Sequence, residues 1–404
     1  MSSSPSIDTS SLVQTPEKRH RRISHRLRFV LLLVAGVFLV SGVLIWVLYQ
    51  QLPLSCYHAA DTTRSGAVTE FCYPYPVEPT NGTITVGPDG NMWFAESARH
   101  KIARITPQGT ITEFAVPSVP SPAPGYTVLD RLDPSQNAYF RIVRGPDGNL
   151  WYTGSGTLGR MSPHGDIREF ALPQGSGFIT GLTAGPDGNI WFGLSTGKIA
   201  KMSVEGKITE FSRFAGRVGE LTAGPDGNVW FGVDSDYGSA IGRITPNGVV
   251  TEFSFETTYW VNELTAGPDG NVWFSTAAGS VRANEFSSTT NSIGNSIGRI
   301  TPNGSIKLIA IPGIPEIASS DWEKPYLVGT IAAGPDGNIW FGLNPGIIGR
   351  LTLPGKITLI ELPHSNWGGV NSMTAGPDGG LWYTFEIQGL FGSIRGTRVG
   401  RITP

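Results

Sequence analysis

The stretch Leu221–Gly232, "LTAGPDGNVWFG", recurs in near copy along this chain of 404 residues. Its marker is Gly-Pro-Asp-Gly with a Trp three residues further on. The marker begins at Gly87, Gly145, Gly185, Gly224, Gly267, Gly334 and Gly376, and the seven Trp are Trp93, Trp151, Trp191, Trp230, Trp273, Trp340 and Trp382. A second phrase follows each marker, as in "KIARITPQGTITEF" (101–114) and "AIGRITPNGVVTEF" (240–253). Repeats of about 40 residues announce a solenoid, a propeller or an array.

Each unit reads as four short strands, of the types "LTA", "NVWFG", "IGRIT" and "ITEF". Apolar residues alternate or run briefly between turn residues, and no stretch inside the repeats carries helical periodicity. Pro-Asp-Gly and Pro-Asn-Gly suit tight turns, because Pro presets φ and Gly accepts positive φ. Four antiparallel strands with one aromatic per unit make a propeller blade, so the expectation is an all-β, seven-bladed ring of four-stranded antiparallel blades. The last copy, "RVGRITP" (398–404), lacks a fourth strand. Upstream, Gly66–Phe71 reads "GAVTEF" and supplies it. The N-terminal strand is therefore predicted to pair with Arg398–Thr403 and close the ring, which removes an open sheet edge. Gly and Pro together number 83, and their recurrence at turns assigns them to the strand connections.

Residues 29–49, "FVLLLVAGVFLVSGVLIWVLY", hold no charge. As a helix they would extend roughly 30 Å, the thickness of a bilayer core. Lys18, Arg19, Arg21, Arg22, Arg26 and Arg28 precede them, which places the tail in the cytoplasm and the ring outside, at the cell membrane. The run is too long for a signal peptide and lacks a small-x-small cleavage site. The organisation expected is a basic cytoplasmic tail at 1–28, a transmembrane helix at 29–49, a linker at 50–65 and the propeller at 66–404. Outside the membrane Cys56 and Cys72 can form a disulfide, which the reading prefers to two free buried thiols. The tail to residue 28 carries net charge +4 and the remainder −6, which argues against nucleic acid as a partner of the ring.

Strand parity puts the two stereotyped turns of every blade on one face. The other connections, variable in length, gather on the opposite face, where function is expected. That varied face is aromatic. Trp260, Trp322 and Trp367 fall in connections between blades, together with Tyr126, Tyr139, Phe140, Phe178, Tyr259 and Tyr326. The alternatives are local packing and a surface for an apolar or aromatic small molecule or peptide, with Trp260, Trp322, Trp367, Tyr139 and Phe140 as its candidate contacts. A single-chain, monomeric ring is expected.

The phrases "GPDGNIWFG" (185–193) and "IGRITPNGVVTEF" (241–253) resemble the streptogramin lyase family, typified by virginiamycin B lyase, and the likeness extends over residues 66–404. The resemblance implies the seven-bladed ring, and an activity in which cyclic depsipeptides are opened by elimination of an ester C–O bond with Mg²⁺ assisting. It also implies a His five residues before the first Gly of the final marker and a Glu four residues after the final Trp. Glu386 matches the second position. The first is Asn371, and around the ring the same position is Gly82, Phe140, Thr180, Gly219, Asn262 and Gly329. An amide hydrogen-bonds but is no base at neutral pH. A substitute constellation is Glu386 and His364 of blade seven with Glu96 and His100 of blade one. It would offer Glu386 and Glu96 to a cation and an imidazole as base. Three functions follow: a surface ligand-binding or sensing propeller, favoured by the missing His; a streptogramin-type lyase; and a metal-dependent lactonase. The lactonase ranks last, because the strand-opening positions supply two Asn and no carboxylate.

Overall fold

The computed structural model describes residues 61–63, 66–72, 82–96, 101–117, 140–154, 156–214, 216–235, 238–254, 259–278, 296–312, 327–344, 346–363, 368–388 and 394–404. The basic tail and the apolar run 29–49 lie outside these residues. So does Cys56, and with it the bridge to Cys72. Among the described residues no helix is long and apolar enough to cross a membrane.

The chain forms seven antiparallel sheets, one per repeat. Blade four is representative. Arg217–Ala223 is innermost, followed outward by Val229–Ser235, Gly238–Ile244 and Val250–Ser254. The repeated sequence is a set of interlocking contacts. Gly224, Pro225, Asp226 and Gly227 turn the chain, with Gly227 at φ 76° and its N–H donating to the Gly224 carbonyl at 3.2 Å. The Asp226 carboxylate then accepts the indole N–H of Trp230 at 2.9 Å and the amide of Asn228 at 2.8 Å. Arg243 reaches the same carboxylate at 3.6 Å, lies over the Trp230 and Phe253 rings, and donates to the Pro302 carbonyl of blade five at 2.6 Å. Trp230 and Phe253 stack with centroids 5.6 Å apart. One carboxylate thus ties the turn, the second strand, the third strand and the next blade together.

The invariable small residues answer to this packing. A Cβ on Gly242 of the third strand would lie 2.2 Å from the Phe231 ring. Gly248 of the outer turn, at φ 90°, seats under Phe211 of the preceding blade, where a Cβ would come within 2.7 Å. Blades five and six carry Ile309 and Ile360 in the place of that outer aromatic, and the turn glycine facing Ile309, Gly355, has open space above it.

Ring closure follows the sequence expectation. Gly66–Cys72 pairs antiparallel with Ile394–Thr403, in a register that runs from Ala67 opposite Thr403 to Cys72 opposite Arg398. Two details were not anticipated. The 50–65 linker contains a strand, Asp61–Thr63, that pairs with Gly66–Cys72 and makes blade seven five-stranded. A polar lock also joins the chain ends. Glu70 is buried and forms an ion pair with Arg398 at 2.7 Å, and the Tyr383 hydroxyl donates to it at 3.4 Å. Phe71 stacks on Trp382 at 5.5 Å.

Removing one member of a buried ion pair strands the other. Arg398→Ala is expected to lower unfolding stability by roughly 3 kcal/mol. Urea denaturation followed by tryptophan fluorescence measures it, and a loss below about 0.5 kcal/mol would show that the lock contributes little.

Candidate functional site

The innermost strand of every blade is the edge of its sheet, so its outward N–H groups need acceptors that no strand ladder supplies. The position four residues before each marker holds Thr83, Arg141, Gly181, Glu220, Glu263, Thr330 and Ser372, and three of these side chains, Thr83, Glu263 and Ser372, meet that need. Ile142 N–H donates to Thr83 Oγ1 at 2.8 Å, joining blades one and two. Ile84 N–H donates to Ser372 Oγ at 3.2 Å, joining blades seven and one. Ile331 N–H donates to Glu263 Oε2 at 2.9 Å, joining blades five and six. Arg141 works in the opposite sense. Its Nε–H donates to the Thr180 carbonyl at 3.1 Å, and its guanidinium pairs with Glu220 of blade four. Beside Glu263, the Asn262 amide donates to the carbonyls of Val328 and Gly329.

These groups enclose a cavity of about 130 Å³ on the ring axis, whose lining includes Arg141, Glu220, Glu263, Thr83, Ser372 and Met373. Burial raises the Glu263 carboxyl above the ordinary carboxylate range. The hydrogen bond from Ile331 N–H and the charge of Arg141 oppose that rise without cancelling it. The aspartates of the markers behave oppositely. Partial burial pushes Asp226 upward, but Trp230, Asn228 and Arg243 together hold it below the ordinary range, and Asp89, Asp187, Asp269, Asp336 and Asp378 are held down in the same manner.

Just outward of this girdle lies the position at which the sequence resemblance implies a His. In blades three, five and seven that residue, Thr180, Asn262 or Asn371, is skipped in the pairing of the first two strands and forms a β-bulge. A bulge re-aims a side chain, which is why bulges gather beside functional sites. Asn371 is half-buried on the strand Gly368–Ala375. Glu386 lies on Leu381–Gln388, opposite Gly369 and Thr397 in register. Glu96 ends the strand Met92–Glu96, opposite Lys101, and is fully buried. His100, His364, Tyr139, Trp322 and Trp367 lie outside the described residues. The structure corrects two aromatic assignments. Tyr259 and Trp260 open the strand Tyr259–Ala266, paired with Ala278 and Ala277, instead of sitting in a loop. Two aromatic residues and the β-branched Val261 begin that strand, residue types that favour extended backbone. Phe140 is buried in the blade one–two core and meets Tyr152 edge-on at 5.8 Å, so it forms wall. The channel carboxylates Glu220 and Glu263 went unread, because attention to the strand-opening position missed the next residue. Among the described residues no three His, Cys, Asp or Glu side chains come together as a metal cluster.

Comparison with known proteins agrees with this architecture. The virginiamycin B lyase family model matches residues 125–288. A solved streptogramin B lyase structure is 26% identical, covering 83% of this chain and 96% of that one at TM-score 0.61. Virginiamycin B lyase from Staphylococcus aureus is 24% identical over 83% of this chain and 99% of that chain, also at TM-score 0.61. The Pan2 WD40 domain of Neurospora crassa, 11% identical over 84% and 97% at TM-score 0.58, shares the fold alone. Among curated proteins none matches the chain. The chain is thus a seven-bladed propeller resembling virginiamycin B lyase.

The raised carboxyl sets a direction for stability. Folded Glu263 holds its proton more tightly than the unfolded chain does. Its contribution is therefore full below the unfolded value of about 4.3 and is lost as pH rises through the folded value. Glu263→Gln keeps an acceptor for Ile331 N–H and carries no charge. The variant should melt above the wild type at about pH 8, with the gap closing toward about pH 4. Thermal melts across that range test this, and a variant that melts lower at pH 8 would contradict it.

Proposed function

We propose that this protein is a membrane-anchored, outward-facing ligand-binding or sensing propeller that holds a molecule over its varied face without opening it. One observation carries the reading: Asn371 stands at the bulge where the resemblance implies a His. Elimination needs a base beside the ester carbonyl, and a carboxamide cannot accept that proton at neutral pH. A solved histidine-to-alanine variant of virginiamycin B lyase from Staphylococcus aureus with quinupristin is catalytically inactive, so that relative needs a histidine for its activity. Residues 29–49, with basic residues on the N-terminal side only, support a single pass with the ring outside the cell membrane. The ligand class is an apolar or aromatic small molecule or peptide, met by Trp260, Trp322 and Trp367. The acidic ring supports no nucleic-acid partner, and closure within one chain supports a monomer.

Glu386 favours a second reading, an active streptogramin-type lyase, because it occupies the carboxylate position of the family. In that case Glu386 and Glu96 are the residues that would hold Mg²⁺, which polarises the ester oxygen when bound. His364 or His100 would take the proton. The Glu386 side chain, His100 and His364 lie outside the described residues.

Full-length protein with quinupristin and added Mg²⁺ should return the antibiotic intact by mass spectrometry. Ring-opened product would overturn the binding-only reading. Glu386→Gln should then abolish that turnover, and His364→Ala or His100→Ala should cost at least about 10²-fold. Topology has its own test: protease added to intact cells should digest the ring and spare the tail, and the reverse pattern would invert the orientation.

A further inference from the structure

The girdle beneath the channel mouth is charged at three of its seven positions, and its charges do not balance. Arg141 is committed, with its guanidinium on Glu220 and its Nε–H on the Thr180 carbonyl. Glu263, from blade five, accepts the neutral Ile331 N–H at 2.9 Å and shares the charge of Arg141 with Glu220. Arg141, Glu220 and Glu263 are the charged residues that line the cavity, so one cation serves two carboxylates. The space between them is real: about 130 Å³, close to the liquid share of four water molecules. The rest of its wall is mainly polar, with Thr83 and Ser372 in the lining, while Ile84, Ile142, Leu221, Leu264 and Met373 adjoin it from strands whose apolar side chains are buried between blades.

We infer that this axial cavity is a receptor for a compact organic cation, a protonated primary amine or guanidinium group on a short alkyl stem, which brings a second positive charge to the two carboxylates that share Arg141. The inference deepens the binding reading by naming a chemical class for the part of a ligand that enters the channel, and it rests on that reading only for the direction of entry. Two carboxylates on different blades suit the hydrogen-bonding head, and a cavity of about 130 Å³ admits only a short stem behind it. A hard metal ion suits the place poorly. It seeks six or more oxygens, and here an arginine already occupies one of the two carboxylates. The cation should favour ionised Glu263, whose proton burial otherwise helps to retain. Binding therefore couples to proton release: the ammonium nitrogen enters, and the carboxyl proton leaves to solvent.

Propylammonium chloride is the probe, with equimolar sodium chloride controlling for ionic strength and propanol for the alkyl stem. Calorimetric titration of the full chain in detergent, in two buffers of different ionisation heat at about pH 6.5, should give a heat that differs between buffers in the sense of proton release. Propylammonium should raise the melting temperature beyond either control, and Glu263→Gln should weaken its binding at least about tenfold. Equal shifts from all three solutes would overturn the inference. So would buffer-independent heat, or unchanged affinity in Glu263→Gln. The buffer comparison uses unaltered protein, so it stands even if the variant folds poorly. The probe is neither a depsipeptide nor aromatic. Its binding, with no larger ligand retained, would sink the reading of the mouth and leave the channel inference intact, while the converse result would do the opposite.

Discussion

A tryptophan indole carries an N–H that cannot be buried without an acceptor, and in every blade an aspartate two residues into the marker turn accepts it at 2.8–3.1 Å. Much else depends on that bond. The Trp is the largest side chain of its blade and is almost wholly buried. It can be buried only if the turn presents the carboxylate at that height, and the turn does so only with Gly where φ is positive. The carboxylate in turn draws the third-strand Arg or Lys across the indole face, and in blades one to four that cation continues to a carbonyl of the next blade. A neutral acceptor would satisfy the indole and lose the cation, so the aspartate serves within the blade and between blades at once.

The blades are not equivalent, and the differences follow the path of the chain. Where the outer strand comes from the N-terminal end, Glu70 and Arg398 are buried and joined by Tyr383, whereas blades one and three hold their equivalent pairs, Lys101 with Glu113 and Lys198 with Glu210, nearer the solvent. Blades one, three, four, five and six carry Phe at the Tyr383 position, and blade two pairs Tyr152 with Glu169 at 3.1 Å without an arginine. A buried polar pair adds little net energy but penalises any register that separates its members. That is useful where two ends some 330 residues apart must find one alignment. Local hairpins set register in the other six blades by their turns, and blade seven has no turn between Gly66–Cys72 and Ile394–Thr403.

The ring, its blade number and its closing strand were legible in the sequence because repetition filters out everything except the scaffold. A pattern present seven times at fixed spacing is a statement about packing, and packing was read correctly. The same property hides the site. Whatever is particular to one blade stands at a position where the repeat varies, and a variable position carries no pattern to be recognised. Glu263 in "VNELTA" reads as one polar residue in a strand. Only the ring geometry sets it against Arg141 and Glu220, residues distant in sequence whose strands meet at the axis. Tyr259 and Trp260 misled for a related reason: the boundary between connection and strand depends on what pairs opposite, and Ala277 and Ala278 are themselves unremarkable.

This separation of scaffold from site bears on how such a ring acquires or loses chemistry. The outer three strands are fixed by the aspartate clasp, the stacked aromatics and the turn glycines, and substitutions there act on stability. The innermost strand bears fewer of those duties. Its girdle position needs only an oxygen for the next N–H, and Thr83, Ser372 and Glu263 meet that need with three different side chains. The bulge beside it tolerates Thr, Asn or Gly, because its residue pairs with nothing across the sheet. An Asn at that point therefore leaves the fold unstrained, and a Glu in place of a Thr keeps the seam while introducing a charge. Chemistry at the mouth and charge in the channel can change independently of each other and of the ring, which is why the family likeness carries the fold so far and the activity no further than the residues at the axis permit.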